Sequence, residues 1–126
     1  MDVHSVVGLL HIDAVHRQND PAACPEEIAQ MPELREVSSS VDALFVGDSG
    51  GPATCDLTDP SNARRPVLSP ASHGRSVAVV DLLIDPTSGR ARREQSSTYN
   101  QKVHHDITPD AEVTDLIDAA ADSAAE

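Results

Sequence analysis

Apolar positions along the chain fall into a few short runs separated by polar, Pro- and Gly-bearing stretches. His4 to Leu10, His-Ser-Val-Val-Gly-Leu-Leu, ends at His11 and predicts a short buried strand. Asn19-Asp20-Pro21 signals a turn. Pro25 suits the first position of a helix, with Glu26 and Glu27 at its positive end. Ile28, Met31 and Leu34 would share one helical face, and Pro32 should break or kink it. Val41 to Val46 predicts a second strand, running into the loop Gly47-Asp48-Ser49-Gly50-Gly51-Pro52. Strand, helix, strand is a βαβ pattern and predicts a parallel pair. Asp56 to Pro66 reads as a polar loop, with a short strand beginning at Val67-Leu68. Ser76 to Asp85, apolar on both parities except at Asp81, predicts a well-buried strand. Asp85-Pro86-Thr87-Ser88-Gly89 predicts a tight turn with Gly89 at positive φ, and Arg90 to Val103 the returning strand of a hairpin. Thr108 as cap, Pro109 at the first position and Val113, Leu116, Ile117 and Ala120 on one face predict a last helix, fraying from Ala119 onwards. The class is α/β, mixed sheet with outer helices.

In open α/β sheets, sites gather at the carboxyl ends of strands. His11 and the Gly47 loop both fall there, which is the physical reason to look for chemistry at those two places. The 126 residues suffice for one modest domain, but Phe45 and Tyr99 are the whole aromatic content, so the core must come from Val, Leu, Ile and Ala. With 21 acidic against 9 basic residues, the net charge of -12 excludes nucleic-acid or anionic-membrane binding through a general field. No run approaches the roughly 20 apolar residues of a membrane span. Met1-Asp2-Val3-His4 has no basic n-region, so no signal peptide is expected. Cys24 and Cys55 leave two readings open, one bridge in an oxidising compartment or two thiols. His104-His105-Asp106 and the cluster Arg90, Arg92, Arg93 read as solvated surface, because adjacent residues on a strand cannot face one ion and alternating arginines suit an exposed face.

Several segments, in order, resemble the metallophosphoesterase domain of bacterial 5′-nucleotidases. They are Leu9-Leu10-His11, Asn19-Asp20 followed by Cys24-Pro25, Val41-Asp42-Ala43-Leu44-Phe45-Val46-Gly47, and Cys55. Ser72-His73-Gly74-Arg75, Asp81-Leu82-Leu83-Ile84-Asp85, Thr87-Ser88-Gly89 and Asp106-Ile107-Thr108-Pro109-Asp110 follow. The resemblance covers roughly residues 4–117. It implies the second half of a metallophosphoesterase sandwich over residues 1–105, then a linker helix and tail over 106–126. It implies a secreted or cell-surface lineage acting on nucleotide phosphate esters with a divalent metal such as Mn, Zn or Ca. His11 and Asp48 would be the remnant metal ligands, and cysteines standing at both family positions imply a Cys24–Cys55 disulfide.

Departures from the family pattern decide the expected activity. The family's first metal-binding half lies upstream of the matched region. Both histidines of its Gly-His-Thr-His motif are replaced, by Asp48 and Gly50. Two-metal hydrolysis needs ions roughly 3.5–4 Å apart. Asp48 offers oxygen to a hard cation and Gly50 offers nothing, so the metal pair is not expected to be retained and the chain is expected to be inactive. Two alternatives stand beside this one. The segment from Gly47 to Pro52, with Cys55 three residues on, resembles the surroundings of the catalytic serine in trypsin-like proteases, which would make Ser49 a nucleophile and Gly47 an oxyanion donor. That fold needs well over 200 residues, with its base far upstream, whereas 46 residues precede Gly47 here. The second is a non-enzymatic remnant whose exposed sheet edges a partner chain covers.

Overall fold

A computed structural model describes residues 3–47 and 49–125. Six strands and three α-helices follow one another in the order β1 (Val7–His11), α1 (Glu26–Ala29), α2 (Pro32–Glu36), β2 (Ala43–Gly47), β3 (Ala53–Thr58), β4 (Arg64–Ser69), β5 (Ser76–Asp81), β6 (Ser97–Lys102) and α3 (Ala111–Ala124). The mixed α/β class expected from the pattern is the observed one. β1, β2, β4 and β3 form one sheet in that order, and β5 pairs with β6 in a second.

β1 and β2 are parallel, in register from Val7↔Ala43 to His11↔Gly47, with α1 and α2 as the crossover. Pro32 does divide the predicted helix. It starts α2 at the first turn, where its missing N–H costs nothing, while Pro25 caps α1 rather than opening it. Alternation along the strands sends Leu44, Val46, Ala53, Cys55, Leu57 and Val67 to one face, where Ile28 and Leu34 complete the buried cluster. Thus two short helices without side-chain caps are held by the apolar residue each buries, rather than by intrinsic helix stability.

The polar loop expected over Asp56 to Pro66 is instead a hairpin, β3 and β4, paired antiparallel from Ala53↔Ser69 to Thr58↔Arg64. Its turn is built on Asp59. One carboxylate oxygen accepts from Ser61 N (2.8 Å), Ser61 Oγ (2.6 Å) and Ala63 N (3.0 Å), and Asn62 takes a positive φ of 63°. β4 is buried from Arg65 to Ser69 although it begins Arg-Arg-Pro. Arg65 lies under α2 and donates to Leu34 O (2.6 Å), Val37 O (2.8 Å) and Ser38 O (3.0 Å), carbonyls at and just beyond the end of the helix. Burial pulls its guanidinium below the usual arginine value, against the pull of Asp59. Pro66 cannot donate to a ladder, and the parallel pairing of β4 with β2 begins one residue later, at Leu44↔Val67.

β5 is shorter than expected and half-exposed rather than well buried, with Val77 54% exposed. Its partner β6 is Ser-Thr-Tyr-Asn-Gln-Lys, so the pair offers one face to β3 and β4 and the other to water. Gly89 has the expected positive φ of 68° in a turn closed by Gly89 N donating to Asp85 O at 2.7 Å. The return is not one strand. Ala91 bridges Ile84, a 3₁₀ turn covers Arg93–Gln95, and β6 starts at Ser97. Arg93 is correspondingly not a solvated residue. Only 12% exposed, it pairs with Asp42 (2.9 Å) and Asp59 (2.6 Å) and also donates to Ser39 O. Arg92 pairs with Asp85 at 2.5 Å.

The last helix is capped by Asp110, whose side chain accepts from Val113 N at 3.1 Å, rather than by Thr108. It continues unbroken past Ala119 to Ala124. Every residue of α3 is exposed, so its apolar stripe of Val113, Leu116 and Ile117 packs on nothing in the described chain. Among the described residues no helix is long and apolar enough to cross a membrane.

Candidate functional site at the strand carboxyl ends

The register of β1 on β2 brings His11 and Gly47 side by side at the carboxyl end of the sheet. An added Cβ on Gly47 would stand 3.7 Å from His11 Nδ1, so the ring lies against that glycine. Beyond them the chain segment 12–18 passes under the loop. Ile12 N donates to Gly47 O (3.4 Å) and His16 N to Ser49 O (3.0 Å). Gln18 Nε2 donates to Pro52 O at 2.8 Å. Two loop glycines follow from this close passage. Gly50 has φ 78°, and a Cβ on Gly51 would meet Gln18 O at 2.7 Å and the His16 ring at 3.0 Å. The glycine content of the loop is thus a packing requirement of the segment beneath it.

Ser49 is buried. Its Oγ donates to Gly51 O at 3.0 Å and lies 2.5 Å from Ser69 Oγ at the end of β4. A general base must stand within hydrogen-bond reach of the proton it removes. The bonds of this hydroxyl go to Ser69 and Gly51 and not to an imidazole. Asp48, expected as an oxygen ligand, lies outside the described residues.

His16 is the residue that the sequence pattern did not single out. It is 4% exposed, and among the described residues neither Nδ1 nor Nε2 has a hydrogen-bond partner. No periodicity marks it, because residues 12–20 carry no regular structure. Cys24 and Cys55 form a disulfide with Cα atoms 4.8 Å apart. It fastens the segment before α1 to β3, where Thr54 also donates from N to Ala23 O (3.0 Å) and from Oγ1 to Pro21 O (2.7 Å).

Between the two sheets, on the face carrying His11, runs a mainly apolar cleft of about 570 Å³ walled by Leu9, Phe45, Val77 and Ala78, with His11 and Gly47 at one end. Metal chemistry there would need converging donors. Among the described residues no group of three or more His, Cys, Asp or Glu side chains is placed to share an ion. His104 and His105 are exposed far along the chain on the way to α3. No family model, curated protein or solved structure matches the chain.

Proposed function

We propose that this chain is the second half of a metallophosphoesterase sandwich of the 5′-nucleotidase lineage, acting in its ancestry on nucleotide phosphate esters and inactive on its own. The observation that carries the reading is the parallel β1–β2 pair, which puts His11 in register with Gly47 at the carboxyl ends of both strands. An imidazole at a strand end beside a glycine loop is a suitable half of a divalent-ion site. The ion, Mn, Zn or Ca in such enzymes, would polarise the ester and activate water. Gly50 contributes no side chain to it, and the residues of the other half-site would have to come from elsewhere.

Two measurements on the pure chain test this. Supplied with Mn²⁺, Zn²⁺ or Ca²⁺, it should release no phosphate from AMP and no chromophore from a phosphodiester. Titration with Mn²⁺ should broaden the His11 ring resonances before those of His104 and His105. Turnover would overturn the inactive assignment, and an unaffected His11 would remove the remnant-ligand role.

A second reading has its own support. β1 is an edge strand and Leu9 on it is 81% exposed. Unpaired apolar edges invite another chain, so a partner strand along β1 would fit a non-enzymatic interaction role. Light scattering on the chain alone decides between a dispersed monomer and association through this edge.

A further inference from the structure

The described chain has a second concave region, sharing Ser76 with the His11 cleft, whose chemistry runs against the charge of the molecule. It is a pocket of about 370 Å³ where four stretches meet, with Asn19, Pro52, Arg75, Ser76, Asn100 and Lys102 in its wall. No carboxylate is in that wall. In a chain of 21 acidic residues, its single lysine and one of its eight arginines face the same cavity.

The β5–β6 ladder makes this arrangement. Ser76 is opposite Lys102, and Val103 N donates to Arg75 O at 3.0 Å, so two cations 27 positions apart in sequence become neighbours across the strand pair. The two-residue period puts Ser76, Asn100 and Lys102 on one face. Asn100 fixes the floor. Its Nδ2 is within 3.2 Å of Pro21 O, Ala53 O and Ser69 O, and its Oδ1 accepts from Ser76 Oγ at 3.2 Å. Ser76 Oγ in turn accepts from Ala71 N at 2.7 Å. Arg75 is oriented by Ser72, with Nε on the carbonyl and Nη2 on the hydroxyl, both at 3.0 Å, and Nη1 makes neither of these bonds. Neither Arg75 nor Lys102 is in an ion pair with a described carboxylate. The nearest acidic side chain in sequence, Asp20, turns one oxygen to Ala22 N at 3.0 Å.

We infer that this pocket binds a small oxyanion of the phosphate class, held between Arg75 Nη1 and Lys102 Nζ with Pro52 and Pro21 as an apolar side wall. A guanidinium already oriented by Ser72 and the ammonium of Lys102 can each give a charge-assisted hydrogen bond to one phosphate, with the guanidinium needing little further ordering. The volume is at the lower end of small-molecule sites and admits a free phosphate or the phosphate end of a monoester. The inference does not draw on the phosphoesterase reading.

The test is a titration of the whole chain with inorganic phosphate and, separately, with AMP, followed by amide and side-chain NMR in EDTA, so that no metal at His11 contributes. Shifts should be largest at Arg75, Ser76 and Lys102. Tighter binding of AMP identifies a monoester as the source, and equal binding a free oxyanion. Lys102→Gln and Arg75→Gln should each weaken phosphate binding about tenfold, whereas Arg17→Gln should leave it unchanged. Both pocket side chains are exposed, so the variants should keep the circular dichroism and thermal midpoint of the parent. Shifts scattered over all the arginines, or equal affinity in Lys102→Gln, would overturn the assignment.

Discussion

The two ends of the four-stranded sheet are opposites in how their polar groups are used. At the amino ends of β1 and β2 and the β3–β4 turn, the charged groups close on one another. Arg93 joins Asp42 and Asp59, Asp42 also accepts from Val6 N at 3.0 Å, and Asp59 accepts from Ser61 and Ala63. At the carboxyl ends the glycine loop packs as tightly, yet the buried His16 ring is left without a partner. A network of this kind is a fastening. It ties the 3₁₀ turn before β6 to the loop before β2 and to the hairpin turn. The contrast is therefore between charges that satisfy one another at one end and a buried imidazole enclosed by backbone at the other.

Breaking the fastening should have the largest effect. Asp59→Asn leaves Arg93 buried with half its charge partners, and a loss of about 3 kcal/mol in urea unfolding is expected. A loss under about 1 kcal/mol would mean that the cluster behaves as a surface pair and the contrast between the two ends is false.

Acid should expose the same cluster in the wild type. The Ser61 hydroxyl first, then Arg93 and the Ala63 and Ser61 amides, hold the Asp59 carboxyl far below its ordinary 3.8, against the opposing effect of burial. Arg93 is correspondingly affected. Burial works against its charge, but Asp59 and Asp42 outweigh this and hold it above the usual value. For a depressed carboxylate the stabilisation is complete above the unfolded-state value and disappears as pH falls toward the folded-state one. Unfolding free energy should therefore decline as pH drops below about 4. Asp59→Asn should lack this component of the decline, and parallel pH profiles for the two proteins would assign the acid sensitivity to other carboxylates.

The smallest effect belongs to the other end. His16→Leu replaces an unpartnered buried ring by an apolar side chain of similar reach, and stability should stay within about 1 kcal/mol of the parent or rise. A loss above about 2 kcal/mol would show that the ring is bonded in solution, and would remove the difference between the two ends.

Much of the architecture was legible in the order of residues. The apolar runs ending at His11 and at Gly47, with a proline-broken helix between them, specify a parallel pair and its carboxyl-end loop. The Gly89 turn is equally local, because a positive φ is a property of one residue. What local pattern could not reveal was the β3–β4 hairpin and the fate of its arginines. Arg64-Arg65-Pro66 reads as loop because a charged, donor-poor triplet is costly inside a sheet. Here the cost is offset from outside the segment. The carbonyls at the end of α2 receive Arg65, Asp56 pairs with Arg64 at 2.8 Å, and pairing with β2 starts only after Pro66. Arg93 and His16 teach the same point. One was expected in solvent and the other had no signal, and both are buried because residues far away in sequence close over them. Sequence alone determined the elements whose stability is periodic and local. The tertiary structure decided which polar side chains go inside, since burial of a charge depends on partners that only the folded chain assembles.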